Sequence, residues 1–190
     1  MSKSLWETYN EYFPVGAAVT PLSIQTHREL IVKHFSSVTP ENQMKPENLH
    51  PSEYIYDFEQ GDIIADFALQ NNMWLRGHTL VWHNQTPVWF FKDGEKPATR
   101  RLALKRMREH IFTVMGHYKG LTYAWDVVNE AVTDRAEAPL LRQTPWLEAV
   151  GEDYLVQAFK FAAEADPDAK LFYNDYNECD PAKSKKYMIW

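Results

Sequence analysis

One cysteine in 190 residues, Cys179, excludes an internal disulfide and leaves the redox compartment open. Positive charge is also scarce. The net charge is -6, and no basic cluster exceeds Arg100-Arg101 and Lys105-Arg106. That balance argues against nucleic acid and against an anionic membrane as partners. No stretch approaches the roughly 20 consecutive apolar residues of a membrane span. Met1 to Asn10 lack the basic segment and apolar block of a secretory leader, so the expected location is cytoplasmic, or extracellular where a leader has been removed. A Gly-rich phosphate loop is missing too.

Aromatic residues, by contrast, are plentiful: 14% of the chain, with seven Trp. Trp and Tyr beside polar groups suit a sugar-binding cleft, because a pyranose ring rests its apolar C–H face on an aromatic ring. The length suits one hydrophobic core and is short for two domains.

Apolar strands alternate with helical patterns along the chain. Val15 to Val19, Ser36 to Asn42, Met73 to Trp82, Thr122 to Glu130 and Leu171 to Tyr176 read as five strands. Between them, Ser23 to Phe35 reads as a weak helix. A second helix follows a capping box at Asp57 and Gln60, with Ile63, Ile64, Phe67 and Ala68 on one face. Thr99 caps a long helix through Leu104, Met107, Ile111, Val114 and Tyr118, which Gly120 ends. Asp153 to Ala165 is helical and stops before Pro167. Asp180-Pro181 opens a last helix, Lys183 to Trp190. This alternation predicts parallel β/α units. Five strands do not close the eight-stranded barrel of about 250 residues, and the last helix pattern breaks off at Trp190, so the chain reads as a fragment or as one piece of a split protein.

Four strand ends carry polar side chains: Glu41-Asn42 with Lys45, His78 with Trp82-His83 and Gln85, Asn129-Glu130, and Asn174-Asp175-Tyr176. In a parallel α/β protein the C-terminal strand ends hold the chemistry. Carboxylates, amides, imidazole and indole around one cavity suit a neutral, hydroxyl-rich substrate. Glycoside hydrolysis needs one carboxyl group as acid and a second as nucleophile or base. Glu130 fits the acid by position, and Glu41 is the obvious second carboxylate. Asp126 has the parity of Glu130 but lies about 13 Å deeper along the strand, as a structural partner in the barrel interior.

Other signals have plainer readings. His78 and His83 face opposite sides of a strand, and His110 and His117 lie about 10 Å apart on a helix, so no metal site is expected. Trp89 reads as core. Trp125, opposite in parity to Glu130, packs beneath the helices. The run Arg100 to Arg108 reads as the solvated face of a helix.

Glu41-Asn42 with Lys45, Gly77-His78-Thr79-Leu80-Val81-Trp82-His83 with Gln85, Trp125-Asp126-Val127-Val128-Asn129-Glu130-Ala131 and Tyr173-Asn174-Asp175-Tyr176-Asn177 together resemble the successive motifs of glycoside hydrolase family 10, the retaining endo-β-1,4-xylanases. The resemblance implies a (β/α)8 TIM barrel of which this chain holds the first five units. It implies Glu130 as general acid/base and Asn129 as the amide on the 2-hydroxyl of the sugar at the cleavage point. His78, Trp82 and Gln85 would wall that subsite. Glu41, Asn42 and Lys45 would grip the neighbouring sugar, and Tyr176 would lie toward the leaving group. It also implies a cis peptide between His78 and Thr79. The family's nucleophile belongs to a later strand, and Glu41 does not replace it. The implied partner is xylan or a xylo-oligosaccharide, with no cofactor. The open edges of the sheet call for a complementary C-terminal half or a second copy. Two other readings remain: a non-catalytic sugar-binding or self-assembling half-barrel, and a glucanase on the same barrel.

Overall fold

The computed structural model describes residues 3–134 and 137–187. Its centre is a parallel five-stranded sheet in the order β1-β2-β3-β6-β7. The strands are β1 (Gly16–Val19), β2 (Ser37–Pro40), β3 (Trp74–Val81), β6 (Thr122–Asn129) and β7 (Lys170–Asn174). Two short antiparallel strands, β4 (Lys92–Asp93) and β5 (Lys96–Pro97), form a separate hairpin between β3 and β6. Each strand of the large sheet pairs with its predecessor in that sheet, so the β/α units are laid side by side in chain order. Strands β1 and β7 each keep one edge unpaired within the sheet.

The five strands fall where apolar runs meet turn residues, one or two residues shorter at some ends than the sequence predicts. The helix predicted over Ser23 to Phe35 is instead two helices, Pro21–Thr26 and Arg28–His34. They are divided at His27, whose φ of -119° and ψ of 21° fall outside the helical region. The first begins earlier because Thr20 caps the Ser23 amide and Pro21 occupies the first turn. The capping box at Asp57 and Gln60 does not form. The helix Glu59–Gln70 has Phe58 at its N-cap, and Asp57 accepts only from the Glu59 amide, at 3.0 Å. The predicted last helix is present over Pro181–Tyr187, with Asp180 accepting from the Ala182 and Lys183 amides at 2.8 and 3.1 Å. Its extension to Trp190 lies outside the described residues.

The core sits between the sheet and the helices. Helix Arg100–His117 buries Ala103, Met107, Ile111 and Val114 completely. Trp125, also fully buried, packs over Gly77 and beside Tyr118. No space exists for a side chain at Gly77: a Cβ there would lie 2.2 Å from the Trp125 ring. Trp89 is half-buried, stacked on Phe90 at 3.9 Å.

The reading of Arg100 to Arg108 as a solvated face is corrected at Arg106, which is 6% exposed. Its guanidinium donates to Glu53 at 2.7 Å and to the carbonyls of Trp89 and Lys92 at 2.6 Å each. The segment after β3 folds back over this helix and turns the carbonyls of Trp89 and Lys92 toward the same arginine that pairs with Glu53.

Candidate active site

Because the sheet is parallel, Glu41, Trp82, Glu130 and Asp175, each following its strand, all lie at the C-terminal end of the sheet. Glu130 is the first residue beyond β6. Its φ of 55° is left-handed, a conformation that costs a non-glycine residue about 1–3 kcal/mol and persists only where neighbours hold it. The amide of Glu130 donates to the Asn174 carbonyl at 2.8 Å, extending the β6–β7 pairing by one bond. Its side chain turns back to β3, where the Trp82 indole donates to Oε2 at 3.1 Å.

Asn129 is buried beside it. Its amide meets that of Asn174 at 2.8 Å. With the amide oxygen turned toward β3, it also accepts from the Trp82 indole at 3.3 Å and its nitrogen donates to the Asn174 carbonyl at 3.2 Å. Trp82 is itself fixed, since its carbonyl accepts from Thr86 Oγ1 at 2.6 Å and from Trp146 Nε1 at 3.0 Å.

A second group lies over the face of this indole. Lys45 Nζ sits 4.8 Å from the centre of the Trp82 ring. It donates to Asn42 Oδ1 at 2.8 Å and Gln85 Oε1 at 2.9 Å, and Gln85 returns a bond to Asn42 at 3.3 Å. Burial pushes the Lys45 ammonium below its ordinary pKa, and the charges of Glu41 and Glu130 oppose that shift. A lysine alone in sequence thus becomes a buried donor ringed by amides.

His78 and Glu41 line a cleft of about 480 Å³ with Arg76, Asp126 and Asn174. Asp126, 3% exposed, accepts from His78 Nδ1 at 2.9 Å and from the Arg76 guanidinium. In that bond His78 Nδ1 is the donor. The His78–Thr79 peptide is cis. Tyr176, beyond β7, is 41% exposed and donates to Asp134 Oδ2 at 2.7 Å. Among the described residues no group of three His, Cys, Asp or Glu side chains is placed to hold a metal ion. No helix of these residues is long and apolar enough to cross a membrane.

The model of glycosyl hydrolase family 10 matches residues 4–190. The chain belongs to glycosyl hydrolase family 10. It is 55% identical over 184 residues to endo-1,4-beta-xylanase B of Paenibacillus barcinonensis, covering 96% of this chain and 55% of that protein. The structure of xylanase XynB from the same organism, complexed with a conduramine derivative, superposes with a TM-score of 0.95 at 54% identity, over 98% of this chain and 56% of that one. A mutant of TsXylA, an intracellular xylanase of Thermoanaerobacterium saccharolyticum, solved with xylotriose, superposes with a TM-score of 0.93 at 43% identity, over 98% and 60% of the two chains. The chain spans about half the length of the curated relatives it matches. Its family-10 sheet is accordingly a partial (β/α) barrel of five strands.

The candidate site includes residues that the sequence did not single out. Arg142 Nε donates to the Glu130 carbonyl at 3.1 Å, and Lys183 Nζ donates to Asp134 at 2.8 Å and Asp175 at 2.7 Å. Neither lies in a periodic pattern or beside a motif residue, so nothing local marks them. Burial opposes the charge of Lys183, yet the two carboxylates outweigh it and raise its pKa. Asp134 is held far below the ordinary carboxylate range: desolvation pulls it up, and donors from Lys183, Tyr176 and Arg142 pull it down further. Burial, then the Arg142 charge, lowers the pKa of nearby His83.

Proposed function

We propose that this chain supplies the acid/base half of an endo-1,4-β-xylanase that cleaves internal bonds of xylan with retention. The observation that carries the reading is the Glu130 carboxyl group at a C-terminal strand end, hydrogen-bonded to the Trp82 indole at 3.1 Å. Glu130 protonates the leaving glycosidic oxygen and later deprotonates water. Between these steps a covalent glycosyl-enzyme forms on a second carboxylate about 5–5.5 Å away. Asn129 holds the 2-hydroxyl of the reacting sugar, with His78, Trp82 and Gln85 around it. Glu41, Asn42 and Lys45 bind the next sugar, and Tyr176 borders the leaving group.

The second carboxylate is expected on a later strand of the family's barrel, within a single catalytic domain of which residues 1–190 are the N-terminal part. The 190-residue polypeptide by itself therefore does not turn over xylan. The remaining β/α units cover the free edge of β7 and the apolar cleft of about 630 Å³ beside it, lined by Leu155, Phe159, Leu171, Tyr173 and Tyr187. An unpaired strand edge and an exposed apolar patch of this kind favour pairing with further chain.

The test compares sugar release from xylan by this chain alone and by the chain joined to the part of the Paenibacillus barcinonensis relative that it does not cover. No release alone, release by the completed barrel, and its abolition by Glu130→Gln are expected. Turnover by the chain alone overturns the division of labour. A completed barrel that binds xylo-oligosaccharides without cleaving them favours a non-catalytic sugar-binding module, and preference for β-1,4-glucan favours a glucanase.

A further inference from the structure

Glu130 needs an external hold, because its left-handed φ of 55° is unfavourable for a side chain and because the acid must point at one oxygen. Every backbone hydrogen-bonding group from the Glu130 amide to the Thr133 amide has a partner. The Glu130 amide goes to Asn174 and the Thr133 amide to the Leu140 carbonyl at 3.0 Å. The groups between them converge on two residues. The Tyr173 phenol accepts from the amides of Ala131 and Val132 at 2.9 and 3.0 Å. Arg142 takes the carbonyls: Nε to Glu130 at 3.1 Å, its own amide to Ala131 at 2.7 Å, and its terminal nitrogen to Val132 at 3.3 Å.

The two residues are themselves joined. The Tyr173 hydroxyl donates to Asp175 Oδ2, and the other oxygen of that buried carboxylate accepts from Lys183 at 2.7 Å. Lys183 also donates to Asp134 at 2.8 Å, and Asp134 accepts from Arg142 at 3.0 Å. The path runs from one side of the Glu130 turn through Tyr173, Asp175, Lys183, Asp134 and Arg142 back to the other side. A phenol has one donor and two acceptor sites, and here all three are used. A bundle that merely tethered the helix Pro181–Tyr187 would have no need to engage the backbone of residues 130–132.

We propose that Tyr173 and Arg142 are positioning residues that clamp the Glu130 turn and aim its carboxyl group at the glycosidic oxygen. The inference rests on the proposed acid role of Glu130. In that step the Glu130 proton moves to the leaving oxygen as the C1–O bond breaks and its electron pair stays on oxygen. A displaced acid slows this step only where the leaving group needs the proton.

The test uses Tyr173→Phe, which keeps the ring and removes the acceptor, and Arg142→Lys, which keeps the charge and loses the fork. In the 190-residue chain, amide exchange at Ala131 and Val132 should rise at least about tenfold in Tyr173→Phe, with the rest of β6 unchanged. Unchanged protection overturns the clamp. In the completed barrel both variants should lose about tenfold or more in kcat/KM on xylo-oligosaccharides, through kcat rather than KM. On 2,4-dinitrophenyl β-xylobioside, whose leaving group departs without a proton, the loss should stay below about threefold. Equal losses on both substrates, or none on either, overturn the inference. A wild-type barrel that cleaves neither overturns the acid reading of Glu130 first, and exchange at Ala131 and Val132 then reports whether the clamp exists apart from it.

Discussion

The Trp82 indole and the Glu130 carboxyl group meet at 3.1 Å although they end different strands. The indole has one proton, and Glu130 Oε2 is its nearer acceptor, with Asn129 at 3.3 Å beside it. That fixes which carboxyl oxygen is occupied and which is free to carry a proton. Trp82→Phe keeps a ring beneath Lys45 and removes the donor. A hydrogen bond to a charged group contributes about 1.5–3 kcal/mol, so kcat on xylo-oligosaccharides in the completed barrel should fall about 10- to 100-fold. Steady-state kinetics measure it, and an unchanged kcat would remove Trp82 from the support of the acid.

Gly77 and Gly116 should respond in opposite directions to alanine. A Cβ at Gly77 would overlap the buried Trp125 ring, whereas nothing lies within 4 Å of a Cβ at Gly116. Overpacking of this kind costs about 1–3 kcal/mol or more. Alanine at an exposed position in the last turn of a helix, as at Gly116, gains about 0.4–1 kcal/mol. Urea unfolding should therefore place Gly77→Ala below and Gly116→Ala above the parent chain. A neutral Gly77→Ala would mean that β3 and Trp125 separate at little cost.

The strands were legible because each is a short apolar run bounded by turn residues, and parallel pairing then follows from the helices between them. The polar strand ends were legible for the same reason: Glu41, Trp82, Glu130 and Tyr176 each follow a run that announces itself. What was hidden depends on distance along the chain. Arg106 reads like its neighbours on the helix until the segment 89–92 folds over it. Arg142 and Lys183 lie 12 and 53 residues from Glu130 in stretches without a motif, and only the fold brings them to the turn. The division at His27 was missed because Leu30 and Ile31 mask the earlier start that Thr20 and Pro21 impose.

Arg106 and Arg101 lie about one and a half helical turns apart and should differ sharply in stability. Arg106→Ala removes the guanidinium from Glu53 and from the Lys92 carbonyl, and leaves the Trp89 carbonyl with the Lys92 amide alone. Glu53 remains 32% exposed and regains some water, so the expected loss is about 2–4 kcal/mol, short of a fully buried pair. Arg101 is exposed, and Arg101→Ala should stay within about 0.5 kcal/mol. Thermal unfolding of the two variants side by side makes the comparison. Equal effects would return Arg106 to the solvated face.

His50 and His110 set the acid sensitivity of the fold. Their Nδ1 atoms lie 3.2 Å apart, so one must donate and the other accept, and neither ring can take a second proton there. Burial, reinforced by the His50 charge, pushes His110 down to about 3, and burial also lowers His50. Glu53, Glu109 and Arg106 are the charged groups on the surrounding segments. In the unfolded chain a histidine protonates near pH 6.5. Above that pH both states are neutral at His110, and no dependence arises from it. As pH falls below it the unfolded state gains a proton that the folded state refuses until about pH 3. Stability should therefore decline through this window, with His110 contributing up to about 1.4 kcal/mol per pH unit. His110→Gln cannot protonate and should flatten the decline by that one-proton slope. Urea midpoints between pH 7 and pH 4 for both proteins decide the matter, and parallel slopes would place the acid sensitivity elsewhere in the chain.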